Sequence, residues 1–402
     1  MVNGAPGSGK TQLAIQQAIS AYQQGKRVIF ATNSNTQSFD IARRLRQQAP
    51  NLRVVLYHRS NLNIPRILEK KGIQTATGTR LFSKGPCIVL SNASKWAWVK
   101  DPIPHFDLMI IDDAGTLRES LFMQIAGLAD RFLILHNAVP HQPIIRSNTK
   151  RWEHMNHAPH RSIINTMPRY PLPTHTTIRK TTLAHSHRLP QDTIDILFPH
   201  VFPISVRAEA TIRRLEIPTC SSPLFHAINS GQSLVMQHLK NTSPFIRAQW
   251  IADNIRQLLA QKTMVYDSRM KGRLSPAKIG IICTDHTQVL LMEKALGSLA
   301  KEVYIDVHIH QHSLERALIY AFHPLGQLSH PNRYHWDPAL LSLLLTRHRV
   351  ACILVAQNLS YTRPSYARGL YDQQTPSIQG YHAHRNLQKQ LQHRIYSQAS
   401  CT

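Results

Sequence analysis

The segment that most limits what this chain can fold into lies close to its start: Gly4-Ala5-Pro6-Gly7-Ser8-Gly9-Lys10-Thr11. It satisfies the phosphate-loop pattern G-x-x-x-x-G-K-[ST] at every specified position. Glycines allow the backbone to curl so that successive N–H groups converge on phosphate oxygens. Lys10 would reach the β/γ-phosphates, and Thr11 would offer its hydroxyl to Mg²⁺. Gln12 to Ala21 reads as a helix whose N-terminus adds partial positive charge to the same place. Gly4, Gly7, Ser8, Gly9, Lys10 and Thr11 are therefore the candidate nucleotide-binding residues. Such a loop is normally fed by a buried strand, yet only Met1-Val2-Asn3 precede it. The sequence reading is thus of an N-terminal truncation with the first strand largely missing.

At 402 residues the chain has room for two domains. It contains neither an apolar run of membrane-spanning length nor a signal peptide, so a soluble, cytoplasmic protein without a membrane partner is expected. Cys87, Cys220, Cys283, Cys352 and Cys401 are scattered with no CxxC pair. That argues against a disulfide framework and against a cysteine zinc site. Charge is more informative: 47 Lys and Arg against 22 Asp and Glu give a formal +25. This imbalance suits a polyanionic partner, of which nucleic acid is the common one.

Short apolar runs alternate with helical patterns along the first part of the chain. Arg27–Thr32, Val54–Tyr57, Cys87–Ser91, Leu108–Ile111 and Phe132–Leu135 read as strands, and a helix runs through Leu45. That alternation predicts an α/β fold with a parallel sheet covered on both faces. Leu108–Ile111 ends in Asp112-Asp113, an acidic pair at the carboxyl end of a buried strand. In a phosphate-loop fold this is where Mg²⁺ is held and the attacking water positioned. Asp112 is the metal candidate, and Asp113 the residue that orients or deprotonates the nucleophile.

With these motifs in place the chain resembles the superfamily 1 helicases, ATPases built from two RecA-like parallel-sheet domains of the P-loop NTPase class. The resemblance rests on the Gly4–Thr11 loop, on Ala31-Thr32-Asn33-Ser34-Asn35-Thr36 as motif Ia, and on Ile110-Ile111-Asp112-Asp113-Ala114-Gly115 as motif II. It implies that Thr32, Asn33, Asn35 and Thr36 contact a nucleic-acid backbone. Asp113 stands where the family usually carries Glu. The third motif falls at Leu135–Pro143, with His136-Asn137 in place of Gly-Asp and Pro140 in place of the phosphate-sensing Gln. Leu183-Ala184-His185-Ser186-His187-Arg188-Leu189-Pro190 resembles motif IV and marks Arg188 as an arginine near the γ-phosphate. Leu344-Leu345-Thr346-Arg347-His348-Arg349 resembles motif VI, with Arg347 as arginine finger and Arg349 as its reserve. Asp306–Glu315 falls at motif V, with His312-Ser313 in place of Gln-Gly and Val307 in place of Thr.

Between Asp130 and Asp192 the only acid is Glu153, while arginines and lysines accumulate. Rich in Pro, His and Thr, the stretch reads as irregular connection. Its Trp152 and Tyr170 could stack bases along a basic track. Trp96 and Trp98 pose the same alternative of stacking platform or packing on the sheet. A second α/β unit follows: a helix over Phe245–Leu259, a strand over Lys278–Thr284, a helix over His286–Leu299, and strands at Val303–Val307, Ile319–Phe322 and Ala351–Ala356. His308, His310 and His312 alternate along a strand and read as a polar face. The series His154, His157, His160 lies among prolines and is read as no metal site. Tyr381–Ile395 carries a stripe of Leu387, Leu391 and Ile395 and reads as a last helix.

The domain organisation expected is 1–145 as the first RecA-like domain, 146–215 as a basic connecting region, 216–360 as the second RecA-like domain and 361–402 as a polar tail. The expected function is a nucleic-acid-dependent ATPase using ATP and Mg²⁺, with single-stranded DNA as partner, which couples hydrolysis to movement on or unwinding of DNA. Two alternatives stand beside it. One is a degenerate relative that binds nucleotide or nucleic acid without turnover. The other is a P-loop kinase or transferase, against which the second α/β unit counts.

Overall fold

A computed structural model describes residues 1–83, 85–99, 103–139, 143, 145, 148–152, 155, 158–170, 176–202, 204–209, 211–220, 222–239, 243–307, 315–324, 337–356 and 381–391. Its contacts divide the chain into two compact units, Met1–Leu183 and Ala184–Thr402. Both are α/β with parallel sheets. Among the described residues no helix is long and apolar enough to cross a membrane.

Among the described residues the first unit has eight strands: β1 (Val2–Gly4), β2 (Val28–Thr32), β3 (Val54–Tyr57), β4 (Gln74–Ala76), β5 (Ile88–Asn92), β6 (Phe106–Ile111), β7 (Ala129–Asn137) and β8 (Thr181–Leu183). They lie in the order β4-β3-β5-β2-β6-β7-β1-β8, all parallel. Side chains of a strand alternate between faces, and here both faces are apolar. Val28 and Phe30 of β2 pack with Ile15, Ala18, Ile41 and Leu45, which come from the helices Lys10–Gln23 and Asn35–Gln48. Ile29 and Ala31 of the same strand face the opposite core with Trp96, Phe122 and Ile163, from the helices Ala93–Ala97, Glu119–Ile125 and Ile163–Thr166. Helices therefore cover both sides of the sheet.

The short N-terminal segment does supply a strand. Val2, Asn3 and Gly4 pair with Leu135, His136 and Asn137 on one side and with Thr181, Thr182 and Leu183 on the other. The segment 181–183, expected to be irregular, is the strand that closes this side of the sheet. The tryptophan pair separates. Trp96 is buried among Tyr57, Phe82 and Phe106, with its indole N–H donated to the Phe30 carbonyl (3.2 Å), whereas Trp98 is exposed.

The second unit carries β9 (His185–Ser186), β10 (Arg207–Ala208), β11 (Arg214–Glu216), β12 (Leu234–His238), β13 (Met264–Tyr266), β14 (Gly272–Arg273), β15 (Ile279–Cys283), β16 (Tyr304–Val307), β17 (Arg316–Phe322) and β18 (His348–Ala356). Its main sheet runs β12-β18-β17-β15-β16, all parallel. β9 pairs with β10, and β11, β13 and β14 form a small antiparallel sheet. The helices Pro223–Asn229, Pro244–Ala260 and His286–Leu296 pack Phe225, Ile251, Ile255 and Met292 against Ile281, Tyr320 and Ile353 of the sheet. Two more helices, Gln191–Val201 and Pro338–Leu345, contact each other; the first also touches β12 and the second β18. Residues 381–391 are helical, with Leu387 and Leu391 buried. The remainder of the expected last helix lies outside the described residues.

Candidate functional site

In a parallel sheet every strand ends at the same edge, and ligand-binding residues collect outside those carboxyl ends. The register aligns Gly4 with Asn137, Ala31 with Ile111, and Ile111 with Ile134. The turns leaving β1, β2, β6 and β7 therefore meet at one end of the first unit.

The loop after β1 takes the curled form its glycines permit. Gly7 (φ 76°) and Gly9 (φ 84°) are left-handed, a conformation costly for residues bearing a Cβ. Gly4 is constrained by space: a Cβ there would come within 2.5 Å of Ser8 Oγ and 3.1 Å of Leu183 Cβ. The curl is closed by Ser8 N–H donating to the Ala5 carbonyl (3.2 Å). Lys10, the first residue of its helix, is almost fully buried. Its Nζ donates to the carbonyls of Gly4 (3.0 Å) and Ala5 (2.8 Å) and to Ser8 Oγ (3.4 Å).

Thr11, one residue on, donates its hydroxyl to Asp112 Oδ2 at 2.7 Å. Asp112 is buried, and burial pushes its carboxyl above the usual carboxylate range, against the Thr11 hydrogen bond and the Lys10 charge. Gln37 Nε2 donates to the same Oδ2 (3.1 Å). Asp113 sits in the left-handed region (φ 61°), where Asp is among the better tolerated side chains. Asn137 Nδ2 donates to Asp113 Oδ1 (3.2 Å), and Asn33 Nδ2 donates to the Asp113 carbonyl (2.8 Å). His136 beside it is half-buried; burial lowers its pKa, and its Nδ1 lies 3.0 Å from the Asn137 carbonyl.

Residues Lys10, Thr11, Asp112 and Asp113 thus come together. The donor set suits a small hard cation: a hydroxyl and a buried carboxylate in contact, without sulfur or imidazole at that contact. A buried carboxylate also favours a nearby positive charge that restores its ionised form.

The four motif Ia residues divide. Thr32 is fully buried and shares its hydroxyl with Ser38 Oγ (2.6 Å) and the Ser91 carbonyl (3.2 Å). Its side chain faces the interior of the turn. Asn33 turns toward Asp113, and Asn35 Oδ1 accepts from Asn92 Nδ2 (2.8 Å). Thr36 is exposed at the start of its helix.

In the second unit the three candidate arginines are all engaged. Arg347 is buried, with Nε donating to the Leu343 carbonyl (3.0 Å). Arg188 pairs with Glu315 Oε2 (3.3 Å) and donates to the Thr346 carbonyl (3.2 Å). Arg349 has no solvent exposure and bridges Asp267 and Glu315 Oε1 (2.6 Å). Burial works to raise both acids. For Asp267 the opposing hydrogen bonds from Arg349 prevail; for Glu315 the charge of Arg188 and the Arg349 hydrogen bond do, so both acids sit below the usual range. Pro140 and Gln142 from the segment 135–143, His308, His310, His312 and Ser313 from the segment 306–315, and His154 and His157, lie outside the described residues.

Sequence reasoning missed Gln37, Asn137 in its contact with Asp113, and the acids Asp267 and Glu315. Gln37 carried one local signal: Ser34-x-x-Gln37 is a capping-box spacing, and Ser34 Oγ does accept from Gln37 N–H (3.2 Å).

No family model and no curated protein sequence matches the chain. Two solved structures of an arterivirus nonstructural protein 10 (helicase) are similar to it. One shows 11% identity, a TM-score of 0.46, and coverage of 88% of this chain and 58% of the other. The second, in complex with DNA, shows 9% identity, a TM-score of 0.45, and coverage of 89% and 61%. The chain spans about three fifths of the length of the structures it matches.

Proposed function

We propose that this chain is a nucleic-acid-dependent ATPase of the superfamily 1 helicase type, of the P-loop NTPase class with two RecA-like domains. One observation carries the reading: Thr11 Oγ1 meets Asp112 Oδ2 at 2.7 Å beside a left-handed glycine loop that encloses Lys10 Nζ. In this reading, triphosphate oxygens take over the carbonyls' place around Lys10, and loop N–H groups from Gly7 to Thr11 line the phosphates. Thr11 and Asp112 would hold Mg²⁺, which when bound would neutralise charge on the phosphates. Asp113 aligns the attacking water and accepts its proton. Asn33, Asn35 and Thr36 form the side of the turn offered to a single DNA strand, with Thr32 bracing it from within. Arg347 and Arg188 keep their proposed roles as charge-stabilising arginines; both would have to leave their present partners to act.

A second reading is favoured by one contact. Asp113 Oδ1 already accepts a hydrogen bond from Asn137, so a chain that binds nucleotide without hydrolysing it is the alternative. Phosphate release from ATP, with and without a single-stranded oligodeoxythymidine, separates the two when Lys10→Ala is run alongside. The proposal expects DNA-stimulated turnover that the variant lacks. Equal, unstimulated background in both proteins would leave only the binding reading.

A further inference from the structure

The Gln37 side chain touches both the candidate strand-binding turn and the candidate metal carboxylate. It occupies the first turn of the helix Asn35–Gln48 and is 8% exposed. Its Oε1 accepts the backbone N–H of Asn33 (3.0 Å), and its Nε2 donates to Asp112 Oδ2 (3.1 Å). The two ends of a carboxamide form a rigid plane. A shift of the Asn33 backbone is therefore carried to Asp112 through one flat group, with no rotatable bond between acceptor and donor. A parallel link leaves the same turn: Asn33 Nδ2 holds the Asp113 carbonyl at 2.8 Å. Asp112 Oδ2 is the atom that also receives Thr11 Oγ1. Repositioning the Gln37 amide thus changes which lone pairs of that oxygen are engaged.

We infer that Gln37 is a positioning residue that couples a nucleic-acid strand on the 32–36 turn to nucleotide binding through the Asp112 carboxylate. This rests on the ATPase reading and deepens it. Coupling then runs through the helix start after β2, independently of the segments 135–143 and 306–315, whose motifs depart from the helicase pattern. A glutamine suits the task, because a carboxylate at this position would repel Asp112 and an apolar side chain would leave both partners without the bridge.

Coupling is a ratio of affinities, and reciprocal. The test is equilibrium binding of N-methylanthraniloyl-ADP with Mg²⁺, with and without saturating oligodeoxythymidine, in the full chain. Wild type is expected to bind the nucleotide about fivefold or more tightly with the oligonucleotide present. In Gln37→Glu and Gln37→Met the ratio should fall to about one, with oligonucleotide affinity within about threefold of wild type. Gln37→Glu keeps the volume and the acceptor for Asn33 while setting a repelling carboxylate against Asp112, and Gln37→Met removes the bridge without adding charge. A ratio preserved in both variants would overturn the inference, as would a wild type that binds both ligands without coupling, which leaves the ATPase reading intact. Unfolding of both variants in a thermal melt would overturn it too, reassigning Gln37 to stability. A wild type that binds no nucleotide would instead remove the ATPase reading beneath it.

Discussion

Arg349 and Asp267 share a two-pronged ion pair, Nε to Oδ2 at 2.8 Å and Nη2 to Oδ1 at 2.9 Å, and neither side chain reaches solvent. The pairing joins the start of β18 to the residue just after β13, and Glu315 and Arg188 extend it toward β17. An arginine held this way is fixed, which makes Arg349 a structural residue of the second unit.

Breaking that pair from one side should cost stability, since of its ion pairs Asp267 then keeps the longer Arg213 contact (3.5 Å), or Arg349 that with Glu315. Arg349→Met and Asp267→Asn are each expected to destabilise the second unit by about 1–3 kcal/mol. Urea unfolding followed by tryptophan fluorescence checks this. A loss under about 1 kcal/mol would show that water reaches the pair.

Acid should weaken the second unit through His323 and His348, both lowered to about 3 by burial. His348 is fully buried, with Nε2 2.7 Å from Thr193 Oγ1. The folded pKa lies below the unfolded value of about 6.5, so the unfolded chain takes up the proton first as pH falls. The contribution is intact above pH about 6.5 and declines toward the folded value, at about 1.4 kcal/mol per pH unit for each such histidine. His348→Gln should flatten the stability profile between pH 4.5 and 6.5 by that slope. An unchanged profile would refute the burial argument.

The phosphate loop should tolerate no side chain at its left-handed positions. Gly7→Ala and Gly9→Ala each force a Cβ into positive φ, costing about 1–2 kcal/mol locally. Nucleotide affinity should fall at least tenfold in each, because the N–H groups no longer converge. Titration with N-methylanthraniloyl-ADP measures it.

Asp113 separates conformation from chemistry. Asn shares its tolerance of the left-handed region, so Asp113→Asn is expected to keep stability within about 0.5 kcal/mol. It also removes the carboxylate, and turnover should drop about 10²-fold or more with nucleotide binding retained. Parallel thermal melts and phosphate-release assays decide it.

Much of this was legible in the sequence because its signals are local. The phosphate loop, β2, β6, and the helices after β2 and β15 are set by contiguous residue types, and their positions follow from periodicity. β8 was invisible: Thr181-Thr182-Leu183 is short and half polar, and becomes a strand because β1 leaves an edge for it. The helix Gln191–Val201 did carry a readable stripe in Ile194, Leu197, Phe198 and Val201, obscured by the proline-rich residues before it. Gln37 and Asp267 were beyond reach for another reason. Their partners lie 75 and 82 residues away, and nothing near either residue announces the contact.

The three-residue strand β1 has its neighbours in β7 and β8, so everything that hangs from it waits on chain found more than a hundred positions downstream. Closing so long a circuit is slow compared with winding a helix. During refolding, competence to capture a nucleotide should therefore emerge last, well after far-ultraviolet circular dichroism has recovered its native amplitude.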